Sequence, residues 1–298
     1  MPPFQPAFLP PGATDAHVHV FNPSRFGYCA ERSYTPGEAT WQALRKHQAE
    51  FGIDRTLLVQ PSVYGTDNAC LLDAIARLGQ DRCRGVAVVD LERATRADLQ
   101  ALHAAGVRGI RLNLEVRHET DAGRVRSRLD RAAAVVELPG WSVQLHCAAA
   151  LLQTVAQSLE AFRVPLVLDH FAGLRAGDAD AAGVPLCTLL GLLDSGRVYV
   201  KLSAFYRASQ DAPQHADLAP LARTLIQARP DRLLWGSDWP HTGGGRDRDP
   251  GRIEPFRDVD LTASLAALQS WAPDAAVLRR ILTDNPAELY GFAAGTAA

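Results

Sequence analysis

The sequence predicts an α/β protein, a (β/α)8 TIM barrel built as a single domain, and three observations carry that prediction. Short apolar runs rich in β-branched residues alternate with amphipathic segments along the chain. Eight such runs are present, and many are apolar throughout, as expected for parallel strands covered on both faces. No glycine-rich phosphate turn follows the first run, which ends in HVHVFNP, so an open doubly wound sheet is the weaker alternative.

The predicted elements follow one another in chain order. The strands are TDAHVHVF (14–21), DRTLLVQPSV (54–63), CRGVAVVDL (83–91), VRGIRLNL (107–114), WSVQLHC (141–147), VPLVLDH (164–170), RVYVKLSA (197–204) and RLLWGSDWP (232–240). Helices are predicted in EATWQALRKHQAEFG (38–52), DNACLLDAIARLG (67–79), TRADLQALHAAG (95–106) and LAPLARTLIQARP (218–230), several of which end in Gly or Pro. The proline-rich residues 1–12 are expected to form an extended N-terminal arm, which leaves residues 13–298 for the barrel.

Composition and charge exclude several classes of function. A net charge of −2 over 298 residues offers no basic surface for nucleic acid or an anionic membrane. The N-terminus does not read as a signal peptide, and no apolar run is long enough to span a bilayer. Five cysteines without paired short spacings favour reduced thiols, so we expect a cytoplasmic protein. The sequence leaves a homo-oligomer open.

Polar side chains stand where a barrel enzyme carries its chemistry, at the carboxyl ends of the strands. These strand ends carry His17 and His19, Gln60 and Ser62, Asp90, Arg111 and Asn113, His146, Asp169 and His170, Ser203, and Asp238. In a strand, residues i and i+2 point to the same face, so the two imidazoles of the DAHVHV run share one face. Such a pair suits a divalent metal or a polarised oxygen. Asp169 and His170 could form a pair of orienter and acid, but the same alternation favours Asp169 facing the helix layer.

Several motifs resemble the amidohydrolase superfamily. DAHVHVF, LDHFAG and WGSDWPH carry the general likeness, while RSYTPGEAT, VQPSVYGTDNACLLDAIA, RGVAVVD and GVRGIRLNL resemble the branch of 2-pyrone-4,6-dicarboxylate lactonases. The resemblance extends from residue 14 to the final TDNPAELYGF. It implies a distorted (β/α)8 barrel that opens a lactone, or a related ester-like bond, with water.

The resemblance also implies roles for individual residues. Asp238 would be the general base on the attacking water, with His17, His19 and His170 around the substrate carbonyl. Substrate carboxylates would be bound by arginines, and Tyr34 and Ser62 match further substrate-contacting positions. The matching arginines are Arg111, Arg117 and Arg207. Given the abundance of arginine, Arg111 could instead form an ion pair with Glu115 or Asp90, and Arg117 could be a solvated loop charge.

Three departures from the lactonase pattern affect these assignments. His146 replaces a tyrosine at the end of the fifth strand, and Arg175 does not align cleanly with the family's Gly-Arg step. The carboxylated lysine of two-metal amidohydrolases is absent from the fourth strand. His17, His19, His146 and Asp238 nevertheless match the ligand types of a single divalent ion, and zinc or manganese is the expectation. His146 and His170 would then join Asp238 in catalysis. Metal-free hydrolysis, as in the lactonase branch, is the alternative, because Arg111 and Arg207 add positive charge near the cavity.

The sequence therefore predicts a hydrolase acting on a carboxylated, anionic lactone. A metal-dependent decarboxylase or hydratase of an unsaturated di-acid is the alternative on the same barrel. A non-catalytic binding barrel is the weakest hypothesis, since the HxH pair and Asp238 are both retained.

Overall fold

The core of the structure is a sheet of eight parallel strands. The computed structural model describes residues 9–115, 119–178, 183–244 and 248–293. The barrel strands are β1 (Thr14–Val18), β3 (Arg55–Val59), β4 (Cys83–Ala87), β5 (Val107–Asn113), β6 (Ser142–His146), β7 (Leu166–Leu168), β8 (Val198–Ser203) and β9 (Leu233–Gly236), paired in that order. Two short strands outside the barrel, β2 (Thr35–Pro36) and β10 (Ile253–Glu254), pair with each other. All eight predicted strands are confirmed.

Helices connect the strands on the outside of the sheet. In the described part of the chain they are α1 (Trp41–Phe51), α2 (Ala69–Leu78), α3 (Arg96–Ala104), α4 (Ala122–Val135), α5 (Leu152–Ser158), α6 (Val184–Asp194), α7 (Phe205–Ala208), α8 (Ala219–Ala228), α9 (Leu261–Trp271), α10 (Ala275–Arg279) and α11 (Asn285–Tyr290). Local sequence explains several of their ends. Thr95 and Asp98 form a capping box at the start of α3, and Gly52 ends α1 in the left-handed conformation. The four predicted helices are confirmed as α1, α2, α3 and α8.

The barrel closes irregularly between its first and last strands. β1 and β9 meet through an isolated bridge between Val18 and Trp239, and two backbone hydrogen bonds of 2.8 and 2.9 Å join the loop after β9 to β1. The Asp15 carboxylate adds a buried bond to the Ser237 amide at 2.9 Å. Gly236 is required here, because a Cβ at this position would lie 2.7 Å from the Cβ of His17. The closure makes this the distorted barrel that the resemblance implied.

The barrel interior is apolar at one end and polar at the other. A cluster of buried side chains from six strands packs against the last helix and Phe292 at the amino-terminal end of the strands. Its strand members are Ala16, Leu57, Val86, Val167, Tyr199 and Leu234. Polar side chains occupy the carboxyl ends, so the fold leaves one face of the barrel for chemistry.

The N-terminal arm is only partly described. Residues 1–8 of the predicted arm (1–12) lie outside the described residues, so its boundary stays a prediction. Leu9 is buried, and the Gly12 amide donates a hydrogen bond of 2.7 Å to Asp54. Within the described ranges, we find no helix with the length and apolar character needed to cross a bilayer.

Candidate active site

A cavity of about 870 Å³ opens at the carboxyl ends of the strands and collects most of the predicted site residues. It is lined by His19, Tyr34, Ser62, Arg111, Asn113, His146, His170, Arg207 and Asp238, together with residues not predicted for the site. His17 is fully buried beside this cavity. Arg117 lies outside the described residues. Asp90 is exposed and is not among the lining residues, so this strand end does not contribute to the cavity.

The two oxygens of Asp238 have different surroundings. Oδ2 accepts a hydrogen bond of 2.6 Å from the Tyr206 hydroxyl and one of 3.2 Å from Nε of Arg207. Oδ1 lies 3.7 Å from Nε2 of His17 and 3.5 Å from Nε2 of His19. The backbone of Asp238 is left-handed, with φ of 64°, at the turn that follows β9. One oxygen is thus held by donors while the other faces the histidine pair.

Charge balance keeps this carboxylate ionised. Burial alone would raise the pKa of Asp238, but the fixed positive charge of Arg207, together with the histidines around the carboxylate, outweighs it and holds the pKa well below its ordinary value. Burial lowers the pKa of both His17 and His170 to about 3, so these imidazoles are neutral near pH 7. Burial, reinforced by the charge of Asp238, raises the pKa of Tyr206 well above its usual range, and its hydroxyl therefore remains a donor.

The histidine pair of β1 is oriented as the i, i+2 spacing predicts. The ring centroids of His17 and His19 lie 5.1 Å apart, and both rings approach Asp238. Nδ1 of His19 is 2.7 Å from the Val59 carbonyl. A carbonyl can only accept, so this nitrogen carries a proton and Nε2 of a neutral His19 turns its lone pair toward the cavity.

His170 is set by an unusual backbone turn. His170, Phe171 and Ala172 all have positive φ, between 52° and 57°. Gly173 follows, with φ of 78°, where a Cβ would lie 2.6 Å from the Cys147 carbonyl oxygen. Nδ1 of His170 is 2.8 Å from the Ser203 hydroxyl, which fixes the plane of the ring. Left-handed backbone at non-glycine residues is strained and recurs at functional sites, and here it brings His170 beside His17, with 4.6 Å between ring centroids.

A buried polar network lies below these histidines, and it corrects the expectation for Asp169. Its carboxylate does not face the helix layer: Oδ1 is 3.3 Å from Nδ1 of His17 and 3.6 Å from Nζ of Lys201, and Oδ2 accepts from Gln144 at 3.0 Å. The alternation rule fails because β7 ends at Leu168, so Asp169 is already in the turn. Lys201 and Gln144, both fully buried, were not predicted for the site. A lysine inside an apolar strand was the available signal.

The two described arginines predicted to bind substrate have different partners. Arg111 is buried, donates to the Gln60 carbonyl at 3.2 Å and lies 3.6 Å from Asp169 Oδ2, rather than pairing with Glu115 or Asp90. Arg207 bonds to Asp238 and donates to the carbonyls of Thr242 and Gly243. Both arginines line the cavity. Their roles in binding substrate carboxylates stay predictions.

The residues present fit a single divalent ion. His17, His170 and Asp238 each offer a ligand atom, and these atoms lie within 4.8 Å of one another. Nε2 of His17 is buried and finds no hydrogen-bond partner among the described residues. Neutral imidazoles with a carboxylate form a donor set that zinc accepts. The predicted ligands are His17, His19, His146 and Asp238. The structure groups His170 with His17 and Asp238, and His19 faces Oδ1 of Asp238. His146 belongs to a second group, with Asp169 and His170.

Comparisons with known proteins agree over almost the whole chain. The family model for amidohydrolases matches residues 14–292. The chain is 34% identical to a 4-sulfomuconolactone hydrolase of Hydrogenophaga intermedia, over 95% of this chain and 90% of that protein. It is 32% identical to a 2-pyrone-4,6-dicarboxylate hydrolase of Comamonas testosteroni, over 97% and 93%. The crystal structure of a probable 2-pyrone-4,6-dicarboxylic acid hydrolase from Acinetobacter baumannii with citric acid bound has a TM-score of 0.74 at 27% identity, covering 94% of this chain and all (100%) of that one.

Proposed function

The chain belongs to the amidohydrolase family, and from that membership we propose that it is a hydrolase that opens a carboxylated lactone with water. Relatives at 32–34% identity are named for hydrolysis of a pyrone dicarboxylate and a sulfonated muconolactone. Both names describe a lactone that carries an anionic group. The substrate class we propose is therefore an anionic lactone of small size.

One observation supports this proposal most directly: a buried carboxylate at the base of a cationic cavity. Within the described residues, the charged lining consists of five arginines, Glu115 and Asp238. The arginines are Arg111, Arg175, Arg207, Arg248 and Arg257. Guanidinium groups bind carboxylates and sulfonates with paired hydrogen bonds and so orient an anion without joining the bond making.

The proposed reaction uses Asp238 as general base. Its Oδ1 accepts a proton from the water whose oxygen forms a bond to the lactone carbonyl carbon. His19 Nε2, 3.5 Å from the same oxygen, presents a lone pair that helps to orient that water. The carbonyl oxygen gains negative charge, the ring C–O bond then breaks, and the leaving oxygen takes up the proton that Asp238 accepted, so that one water is added overall and the carboxylate is regenerated.

His170 and His146 are the proposed partners on the substrate side. Both line the cavity and their ring centroids are 4.8 Å apart. When the Ser203 hydroxyl donates to Nδ1 of His170, Nε2 carries the proton and can donate to the carbonyl oxygen. When the hydroxyl accepts instead, Nε2 is free to bind a cation. The hydrogen bond with Ser203 therefore allows His170 to act as a donor in a metal-free site or as a ligand in a metal-bound site.

A divalent ion, where bound, would be held by His17, His170 and Asp238 and would polarise the carbonyl. Metal analysis of protein purified without chelator is expected to find up to one zinc or manganese ion per chain. His17→Ala should lower that occupancy, and His103→Ala, on α3, should leave it unchanged. A metal-free wild type whose activity survives chelators would show that the histidines act only as hydrogen-bond partners.

The function is tested by assaying the purified protein on a panel of carboxylated and neutral lactones, with ring opening monitored by ultraviolet absorbance. Hydrolysis of anionic lactones is expected, without release of carbon dioxide. Release of carbon dioxide, or loss of a double bond without ring opening, would favour the decarboxylase or hydratase alternative.

The base is tested by Asp238→Asn, which should lower kcat roughly a hundredfold or more, since general-base catalysis contributes that much. Substrate binding should be kept. Asp194→Asn, on the exposed end of α6, is the matched control. Near-normal turnover in Asp238→Asn would exclude this residue as the base. The cytoplasmic location remains an expectation of the sequence alone.

A further inference from the structure

Tyr206 makes the shortest contact to the proposed base. Its hydroxyl lies 2.6 Å from Oδ2 of Asp238, whereas Nε of Arg207 lies 3.2 Å from the same oxygen. On the other side, the Nε2 atoms of His19 and His17 lie 3.5 and 3.7 Å from Oδ1, beyond ordinary hydrogen-bond lengths. Among the described residues, the short hydrogen bonds to this carboxylate thus converge on Oδ2, and Oδ1 has only the longer histidine contacts.

The chain holds the phenol of Tyr206 firmly in this place. β8 ends at Ser203, Ala204 adopts a left-handed conformation with φ of 50°, and α7 begins at once. The guanidinium carbons of Arg207 and Arg257 lie 5.1 and 5.4 Å from the centre of the Tyr206 ring. Cations over an aromatic face restrain the ring. The hydroxyl is thus directed at Asp238 by contacts that are already present in the ligand-free structure.

We propose that Tyr206 is a positioning residue that fixes Oδ2 of Asp238 and so makes Oδ1 the oxygen that receives the proton from water. The inference rests on the proposed role of Asp238 as general base. Tyr206 keeps its own proton throughout, and no bond to it forms or breaks.

Arg207 cannot replace this function. Its guanidinium also donates to the carbonyls of Thr242 at 2.9 Å and Gly243 at 3.3 Å, so its position follows the loop after β9. Without the phenol, Oδ2 would keep one longer hydrogen bond, and the carboxylate could rotate about its χ2 torsion, which is broad in aspartate. A misplacement of about 1 Å at a reacting atom costs up to a hundredfold in rate.

The kinetic experiment removes only the hydroxyl. Tyr206→Phe keeps the ring and should lower kcat about tenfold or more with KM almost unchanged, on charged and neutral lactones alike. Tyr28→Phe removes a hydroxyl that bonds to the Pro36 carbonyl, outside the cavity lining, and should keep wild-type kcat. In an Asp238→Asn background, Tyr206→Phe should have little further effect, because Tyr206 acts through the carboxylate. An equal loss in both backgrounds, or a raised KM with unchanged kcat, would overturn the proposal.

A second measurement does not depend on finding the substrate. Crystal structures of the wild type and of Tyr206→Phe, without ligand, should show a single Asp238 conformer in the first and a rotated or split carboxylate in the second. An Asp238 that stays ordered in the same place without the hydroxyl would refute the positioning role, whatever the lactone panel gives. Failure of the panel with a split carboxylate would instead count against the proposed reaction alone.

Discussion

At the scale of the residue, the two buried carboxylates of the site, Asp238 and Asp169, have different surroundings. Asp238 faces the cavity, whereas Asp169 is buried beneath the histidines with His17 and Lys201 as neighbours. Burial lowers the pKa of Lys201 to about 8, and Asp169 opposes this by favouring the charged form. Asp169 is therefore neutralised locally and orients His17, whereas Asp238 faces the cavity, as its proposed role as general base requires.

Arg111 provides the residue-scale test of anion binding. It is buried in the cavity wall, so Arg111→Met should weaken binding of carboxylated lactones by about 2–5 kcal/mol. A neutral lactone of the same ring size should be affected much less. KM values and inhibition by the product di-acid measure the effect. Equal losses for both substrates would mean that Arg111 serves its contact with Asp169 rather than the substrate.

At the scale of the element, helix α1 supports the turn that carries Asp238. Its residue His47 packs against Trp239, with ring centroids 5.8 Å apart, and against Phe51 at 5.0 Å. Burial, with a smaller contribution from the charge of His241, lowers the pKa of His47 from 6.5 to about 4. The packing between α1 and this turn therefore requires a neutral imidazole.

This packing predicts a pH dependence of stability. Below the unfolded-state pKa of 6.5 the unfolded chain binds a proton that the folded chain does not, so the contribution of His47 is complete above that pH. It is lost as the pH falls from 6.5 toward about 4. The free energy of unfolding, measured with urea, should therefore fall in the wild type as the pH is lowered over this range. In His47→Gln this fall should be smaller, by on the order of 2 kcal/mol. The same pH slope in both proteins would contradict the assignment.

At the scale of the whole molecule, function depends on how the sheet closes. β1 supplies the histidine pair, and the turn after β9 supplies Asp238. The two segments are joined by a hydrogen bond of 2.9 Å from the amide of Asp238 to the carbonyl of His17. The first and last strands of the barrel thus meet at the site. At Gly236 the two strands approach closely enough that a Cβ would lie 2.7 Å from the Cβ of His17.

Gly236→Ala tests this closure. The added methyl would lie 2.8 Å from the backbone nitrogen of His17, so β9 must move away from β1. Unfolding in urea should show a loss of about 1–3 kcal/mol, the usual cost of overpacking. Gly191→Ala, in α6, adds a methyl that would meet no described atom within 4 Å beyond its chain neighbours and its own helix backbone, and it should instead stabilise by about 0.5–1 kcal/mol. Wild-type stability in Gly236→Ala would show that the strands can separate freely.

The sequence by itself determined the barrel and the residue types of its site. Strand periodicity located all eight strands, and HxH followed by an aspartate at the last strand located the end of the barrel that carries the cavity, because alternation and strand direction are local rules. The family resemblance added Tyr34, Ser62 and Arg207, which do line the cavity.

Only the tertiary structure decided which side chains meet. Asp169 turned inward, and Tyr206 and Lys201 joined the site, through turns and burial that no local pattern encodes. Strand alternation ends where a strand ends, and left-handed residues such as Ala204 and His170 redirect the chain only because surrounding contacts compensate their strain. Packing between distant segments decides which oxygen of Asp238 accepts the short hydrogen bonds and which one faces the histidine pair. For that reason it could not be read from the order of the residues.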